Sequence, residues 1–261
     1  GMALAALTPR DIPAYLRDHS AIEATQAAFA HRDDADLGAA LYDIPLTIDM
    51  DRASLKGGLR SYLHTAGVAT ADASGLTAVS LVSIFDDFSL GVFVPNAGFV
   101  LNNRSGGFTS GRNAFAPGKR PVHTLAPIMI ERDEAIIDLS KPGVDGQVQG
   151  LLQVLLATVG RGEDLSEVVA APRWRSEDGK LLVEAGHLAR DTLAGLGHRI
   201  VDIPAGDMRF GAITAAGRKG PLWWSCKLGL RAALGTSDKL RAAALGTSDE
   251  AWSRPTCREK L

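Results

Sequence analysis

The chain has 261 residues, 46% of them apolar and 22% charged, which fits one large or two small globular domains and excludes a disordered segment. A formal net charge of −2 leaves no footprint for nucleic acid or an anionic membrane, and no apolar run reaches the length of a membrane span. Cys226 and Cys257 make neither a C-x-x-C pair nor a His/Cys cluster, so no metal is expected. No basic segment leads into a long apolar one near residue 1, so the expected location is cytoplasmic.

In chain order, "SAIEATQAAFAHR" at 20–32 predicts a helix. Ile22, Ala28 and Phe29 share a face, and Ser20 with Glu23 has capping-box spacing. A mixed, Asp-rich connector follows to about residue 60. "VATADASGLTAVSLVSIF" reads as a hairpin turning at "DASG", and "VFVPNAGFVLNN" as extended chain broken at Pro95-Asn96. "RSGGFTSGRNAFAPGKRP" is a long loop, a type that in compact domains is often functional. "VHTLAPIMIERDEAIIDLS" predicts a strand pair turning at Arg132-Asp133-Glu134. "QVQGLLQVLLATVG" predicts a buried helix stopped at Gly160, and "DLSEVVAAP" a short helix ending before Pro172. "LLVEAG" and "HRIVDI" read as strands around a helix at "ARDTLAGLG". In the tail "LRAALGTSDK" is followed by its near-duplicate "LRAAALGTSDE", too few copies for a solenoid. The last thirty or so residues are expected to pack poorly. The order of elements predicts an α+β fold with a sheet-on-sheet core under helical cover.

Pattern alone finds little chemistry. P-loop, dinucleotide, H-E-x-x-H and G-x-S-x-G motifs are all missing, and the six histidines are scattered. His64 adjoins Thr65, but neighbours in a strand point to opposite faces, so His64 faces solvent on this reading. Asp86-Asp87 diverge for the same reason and read as a solvated turn. Arg112, Lys119 and Arg120 read as a loop facing water.

An ordered set of phrases says more. "VATADASGLTAVSLVSIF", "GFVLNNRSGGF", "APGKRPVHTLAPIMI", "GQVQGLLQVLLA", "EDLSEVVAAPRWR" and "GHLARDTLAGLGHRI" together resemble the small subunit of the gamma-glutamyltransferase family, and more narrowly its acylase-like branch. "HSAIEATQAAFAHRDD" resembles the end of that family's large subunit, so the likeness covers roughly residues 19 to 215. It implies the N-terminal nucleophile hydrolase fold, a four-layer αββα sandwich, incomplete in this chain. The domains would be 1–64, the end of a large-subunit-like region, then 65–220, a small-subunit-like core, and 221–261, an atypical tail.

The resemblance implies a precursor that cuts itself before Thr65. The freed amine, with a pKa near ~8, then serves as base to the Thr65 hydroxyl. Ser83 would support that hydroxyl. Phe85 matches a site that is aromatic in the acylase-like branch. Arg104 and Gly107 stand where glutamyl-specific members hold Gln and Asp, and Gly107 cannot bind an α-amino group. His123 and Thr124 match a Ser-Ser pair that touches the substrate carboxylate. Gly143 and Val144 stand where the family's oxyanion hole has Gly-Gly, and Val tolerates positive φ badly. No metal or organic cofactor is implied. The implied substrate is a small amide or gamma-glutamyl-type compound, and the implied partner a large subunit or a second copy. The alternative is a non-catalytic truncated relative that acts as a partner subunit or a small-molecule binding module.

Overall fold

A computed structural model describes residues 1–56, 65–72, 74–143, 145–219 and 222–228. Its frame is two antiparallel sheets packed face to face. The smaller is a hairpin of β1 (Ala66–Ala71) and β2 (Thr77–Val82), in register from Ala66–Val82 to Ala71–Thr77. Burial alternates along both strands, so Gly67, Ala69, Ala71, Thr77, Val79 and Leu81 turn inward. The Asp72 carboxylate closes the turn by accepting from Ser74 N, Ser74 Oγ and Leu76 N, and these donors hold its pKa below the ordinary value. The hairpin and its "DASG" turn are as the sequence predicts.

The larger sheet has β5 (Ile128–Arg132), β6 (Ala135–Ser140), β10 (Ile213–Lys219) and β11 (Leu222–Leu228), in the order β11-β10-β6-β5. Its outer face carries Leu139, Ile213 and Ala215, which pack on Leu151 and Val154 of α3 (Asp145–Arg161) and on Leu165 and Val169 of α4 (Leu165–Ala170). The layers therefore run helix, sheet, sheet. The outer face of the hairpin stays open, with Val68 50% and Val82 62% exposed.

Beside this sandwich, α1 (Met2–Leu7) and α2 (Arg17–Phe29) share a core with β7 (Trp174–Glu177), β8 (Lys180–Glu184) and α5 (Arg190–Gly195). β9 (Ile200–Ile203) lies parallel to β8. A minimal hairpin joins β3 (Phe93–Val94) to β4 (Phe99–Val100). The expected long loop after Asn103 is irregular apart from 3₁₀ turns at Arg104–Gly107 and Gly111–Asn113. Among the described residues no helix is long and apolar enough to cross a membrane.

Several boundaries differ from expectation. α2 begins at Arg17, because the 3₁₀ turn Ala14–Leu16 feeds straight into it. Ser20 is thus inside the helix and donates to Arg17 O, while Glu23 accepts from Ser54 N, so no capping box forms. Gly160 lies within α3, and the helix ends before Gly162 at φ +71°. The strand expected from Val122 starts only at Ile128: Pro127 offers no N–H, and Val122 N and Ala126 N donate to Asn113 and Gln147 side chains instead. Strand β7 is unexpected because "WRSE" is polar, yet it is buried with its polar atoms matched. Arg175 pairs with Glu177, and Ser176 bonds Gln26 and Gln149. The duplicated tail segment lies outside the described residues.

Candidate active site

Thr65 stands immediately before β1. One step beyond the Ala66–Val82 pair, the register sets it opposite Ser83, and the alternation turns both inward. Thr65 Oγ1 is buried and has no hydrogen-bond partner. Ser83 Oγ accepts from Phe85 N at 3.1 Å. His64 lies outside the described residues.

Which end of the sandwich this is follows from two glycines. A Cβ on Gly67 would sit 2.4 Å from Ser140 Oγ, and one on Gly75 would sit 3.3 Å from Arg218 Cδ. Ser140 ends β6, whereas Arg218 pairs with Ile136 near its start. The hairpin therefore runs antiparallel to β6, with Thr65 at the end where the chain leaves Ser140 for Gly143. Gly143 has φ +107°, a conformation that glycine alone adopts readily, and its carbonyl accepts from Gly146 N at 2.7 Å as α3 begins. The exposed N–H groups of a helix start favour developing negative charge. Val144 lies outside the described residues.

A second group forms the adjoining wall. Phe85, only 6% exposed and held at φ +85°, packs under the Arg104 guanidinium at 4.8 Å and against Gly106 and Gly107. Arg104 Nη1 donates to Thr124 Oγ1 at 2.6 Å. Burial pulls the Arg104 pKa down and the Asp86 carboxylate offsets part of this. Asp86 is not a solvated turn residue: it accepts from Asn103 Nδ2 at 2.7 Å while its N–H donates to Asn103 Oδ1 at 3.0 Å, clamping the two segments that carry Phe85 and Arg104. Ala126 N donates to Gln147 Oε1 at 3.1 Å, tying the Thr124 loop to the first turn of α3 near Gly143.

The structure thus gathers Phe85, Arg104, Gly107 and Thr124, and sets Thr65 beside Ser83. His123 stands apart: it is exposed and its Nδ1 accepts from Leu125 N within its own turn. Arg112 is likewise engaged, in an exposed pair with Asp36.

Three buried groups were not anticipated. Ser140 and Thr214 hydroxyls bond at 2.5 Å beneath Gly67. Asp138, two residues earlier on the same face, is fully buried, and among the described residues no Lys or Arg forms an ion pair with it. Burial raises its pKa, and the Thr77 hydroxyl offsets only part of that. Lys141 is buried and donates to Pro142 O at 3.2 Å, two residues before Gly143. Burial, then the nearby Arg173 and Arg175, press its pKa well below the ordinary value. The only sequence hint was polar residues at strand positions pointing inward.

The model of the family described as gamma-glutamyltranspeptidase matches residues 14–233. The chain is 33% identical over 174 residues to an oxamate amidohydrolase proenzyme of Klebsiella pneumoniae, covering 60% of this chain and 33% of that protein. It is 29% identical over 211 residues to an acylase proenzyme of a Pseudomonas species, covering 71% and 38%. It therefore spans roughly a third of the length of these relatives. Among solved structures, a cephalosporin acylase from Bacillus halodurans superposes with TM-score 0.60 at 22% identity, over 87% of this chain and 47% of that one. A gamma-glutamyltranspeptidase chain from Pseudomonas nitroreducens, complexed with L-DON, superposes with TM-score 0.54 at 24% identity, over 66% and 99%. These likenesses show the N-terminal nucleophile hydrolase fold, present here in part. With the family model spanning most of its length, the chain belongs to the gamma-glutamyltranspeptidase family.

Proposed function

We propose that this chain supplies the nucleophile half of an amide hydrolase or acyltransferase that works through an acyl-enzyme on Thr65. The observation that carries this is the Thr65 hydroxyl, buried and without a partner at the entry to β1, in register with Ser83. Residues 1–64 are then the closing stretch of a large-subunit-like region and 65–220 the nucleophile core, whose larger sheet is extended by β11 from the 221–261 segment.

Cleavage between His64 and Thr65 converts the Thr65 amide into an amine. That amine takes the hydroxyl proton as Oγ1 attacks the substrate carbonyl, then passes it to the leaving nitrogen. The Gly143 and Val144 N–H groups stabilise the oxyanion, where one lost donor costs on the order of 10²–10³ in rate. Water or an amine then takes the acyl group from Thr65. The Phe85 ring and the Arg104 guanidinium, with Thr124 fixing its angle, offer an apolar wall and a cation. They suit an acyl group that carries a carboxylate. Gly107 provides no anion for an α-amine, so the favoured substrates are acids' amides without one. The relatives named as an oxamate amidohydrolase and an acylase fit this class.

A large-subunit partner, or a second copy, fits the open face of β1–β2, where Val68 and Val82 are exposed. The non-catalytic reading has less support, since the named relatives are hydrolases and acylases made as proenzymes.

Intact mass after purification tests the first step. Two fragments split between His64 and Thr65 are expected, together with a burst of one product equivalent from a chromogenic amide. Thr65→Ala should abolish both. A chain that stays whole under all conditions, or a burst that survives Thr65→Ala, removes the mechanism.

A further inference from the structure

A buried polar cluster outside the candidate active site joins α2 to the approach to β9. His19 and Glu23 lie one turn apart on α2, and His198 sits between α5 and β9. The three are 0%, 3% and 6% exposed. His19 Nδ1 and His198 Nε2 are 2.8 Å apart, with the rings edge to face. One ligand atom from each residue, carboxylate oxygen included, lies within 4.8 Å of the others.

The surroundings orient this set. His19 Nε2 must be the donor to Asp49 O at 2.8 Å, since a carbonyl only accepts. In the neutral ring this leaves the lone pair on Nδ1, aimed at His198. A ring whose far N–H is held by a backbone carbonyl is the usual support of a metal-binding histidine. The Glu23 carboxylate is positioned by Ser54 N at 3.1 Å, and among the described residues no Lys or Arg forms an ion pair with it. A buried carboxylate without a cation is costly unless something supplies positive charge.

We propose that His19 Nδ1, His198 Nε2 and a Glu23 carboxylate oxygen bind one zinc-class divalent ion, a structural site that pins α2 to the start of β9. Two imidazoles and a carboxylate are a zinc donor set, and a water completes four-coordination. Nitrogens bound at ~2.0–2.1 Å to one tetrahedral ion sit farther apart than these two, so binding replaces the His19–His198 hydrogen bond and parts the rings slightly. The proton on His198 Nε2 moves to Nδ1, leaving both rings neutral. The expectation of no metal followed chain spacing, which cannot bring His198 beside a helix that begins at Arg17.

The test uses the full chain, stripped by chelator and titrated with cobalt(II) and then zinc(II). The expected result is visible absorption of tetrahedral cobalt that saturates at one equivalent and is displaced by zinc. Zinc at a hundred-fold excess over its dissociation constant should raise the melting temperature by roughly 5–10 °C. Both signals should be lost in His198→Ala and in Glu23→Gln, the latter keeping side-chain shape where the former opens a cavity. No cobalt absorption in the unaltered chain overturns the site, as does absorption that persists in a folded Glu23→Gln variant.

Discussion

The two sheets of the sandwich differ in what covers them. The large sheet is enclosed: α3 and α4 press on one face and the β1–β2 hairpin on the other, and Leu139 is fully buried. The hairpin is enclosed on one face only. The inward residues of β1, Gly67, Ala69 and Ala71, are small, so Gly67 rides directly over Ser140, while the outward Val68 and Val82 face solvent. The strand that leads from the candidate nucleophile is thus set by what lies beneath it, and its outer side is exposed.

That contrast can be broken from the inside. Leu139→Ala removes a side chain packed on α3 and should cost about 2–5 kcal/mol in urea unfolding. A loss below ~1 kcal/mol would mean that the covered half is not the stable half. Gly67→Ala puts a methyl against Ser140 Oγ and should cost about 1–3 kcal/mol by forcing the sheets apart. Ser140→Ala in the same background should recover part of it, and no recovery would point to strain elsewhere.

Asp138 is the weak point between the sheets. Its carboxyl pKa is raised, so the folded state keeps a proton that the unfolded chain gives up above the ordinary value of 3.8. Stability should fall as pH rises through the window just above 3.8, and Asp138→Asn should flatten that slope. Removing the buried charge should gain about 1 kcal/mol at neutral pH. A slope unchanged in Asp138→Asn would assign it to another group. The smallest effect belongs to the open face. Val82→Ser should change stability by less than about 0.5 kcal/mol while lowering self-association in light scattering. A large destabilisation would show that this face is already covered.

Much of the frame was legible. The β1–β2 hairpin was readable because its alternation has period two and Asp72 caps its own turn. The body of α3 was readable because a long apolar run needs no partner to be recognised. α2 was located but its start was not, since a 3₁₀ turn ahead of it carries no distinctive residue. β7 was invisible because "WRSE" looks like a surface segment until Gln26, Gln149 and Glu177 satisfy it. In the site, the residues came from an ordered family likeness and not from any local motif. The Phe85–Arg104–Thr124 group came together in the fold, while His123 turned out to bond within its own loop.

By itself the sequence determined the family, the hairpin that carries Thr65, and the glycine at 143 that permits positive φ. These depend on residue order and local backbone freedom. Only the tertiary structure decided that Thr65 lies in register with Ser83 at the Gly143 end, that Asp138 is fully buried, and that His19 and His198 meet across 179 residues of chain. Burial and contact between distant residues arise when layers pack, and no spacing along one strand or helix encodes them.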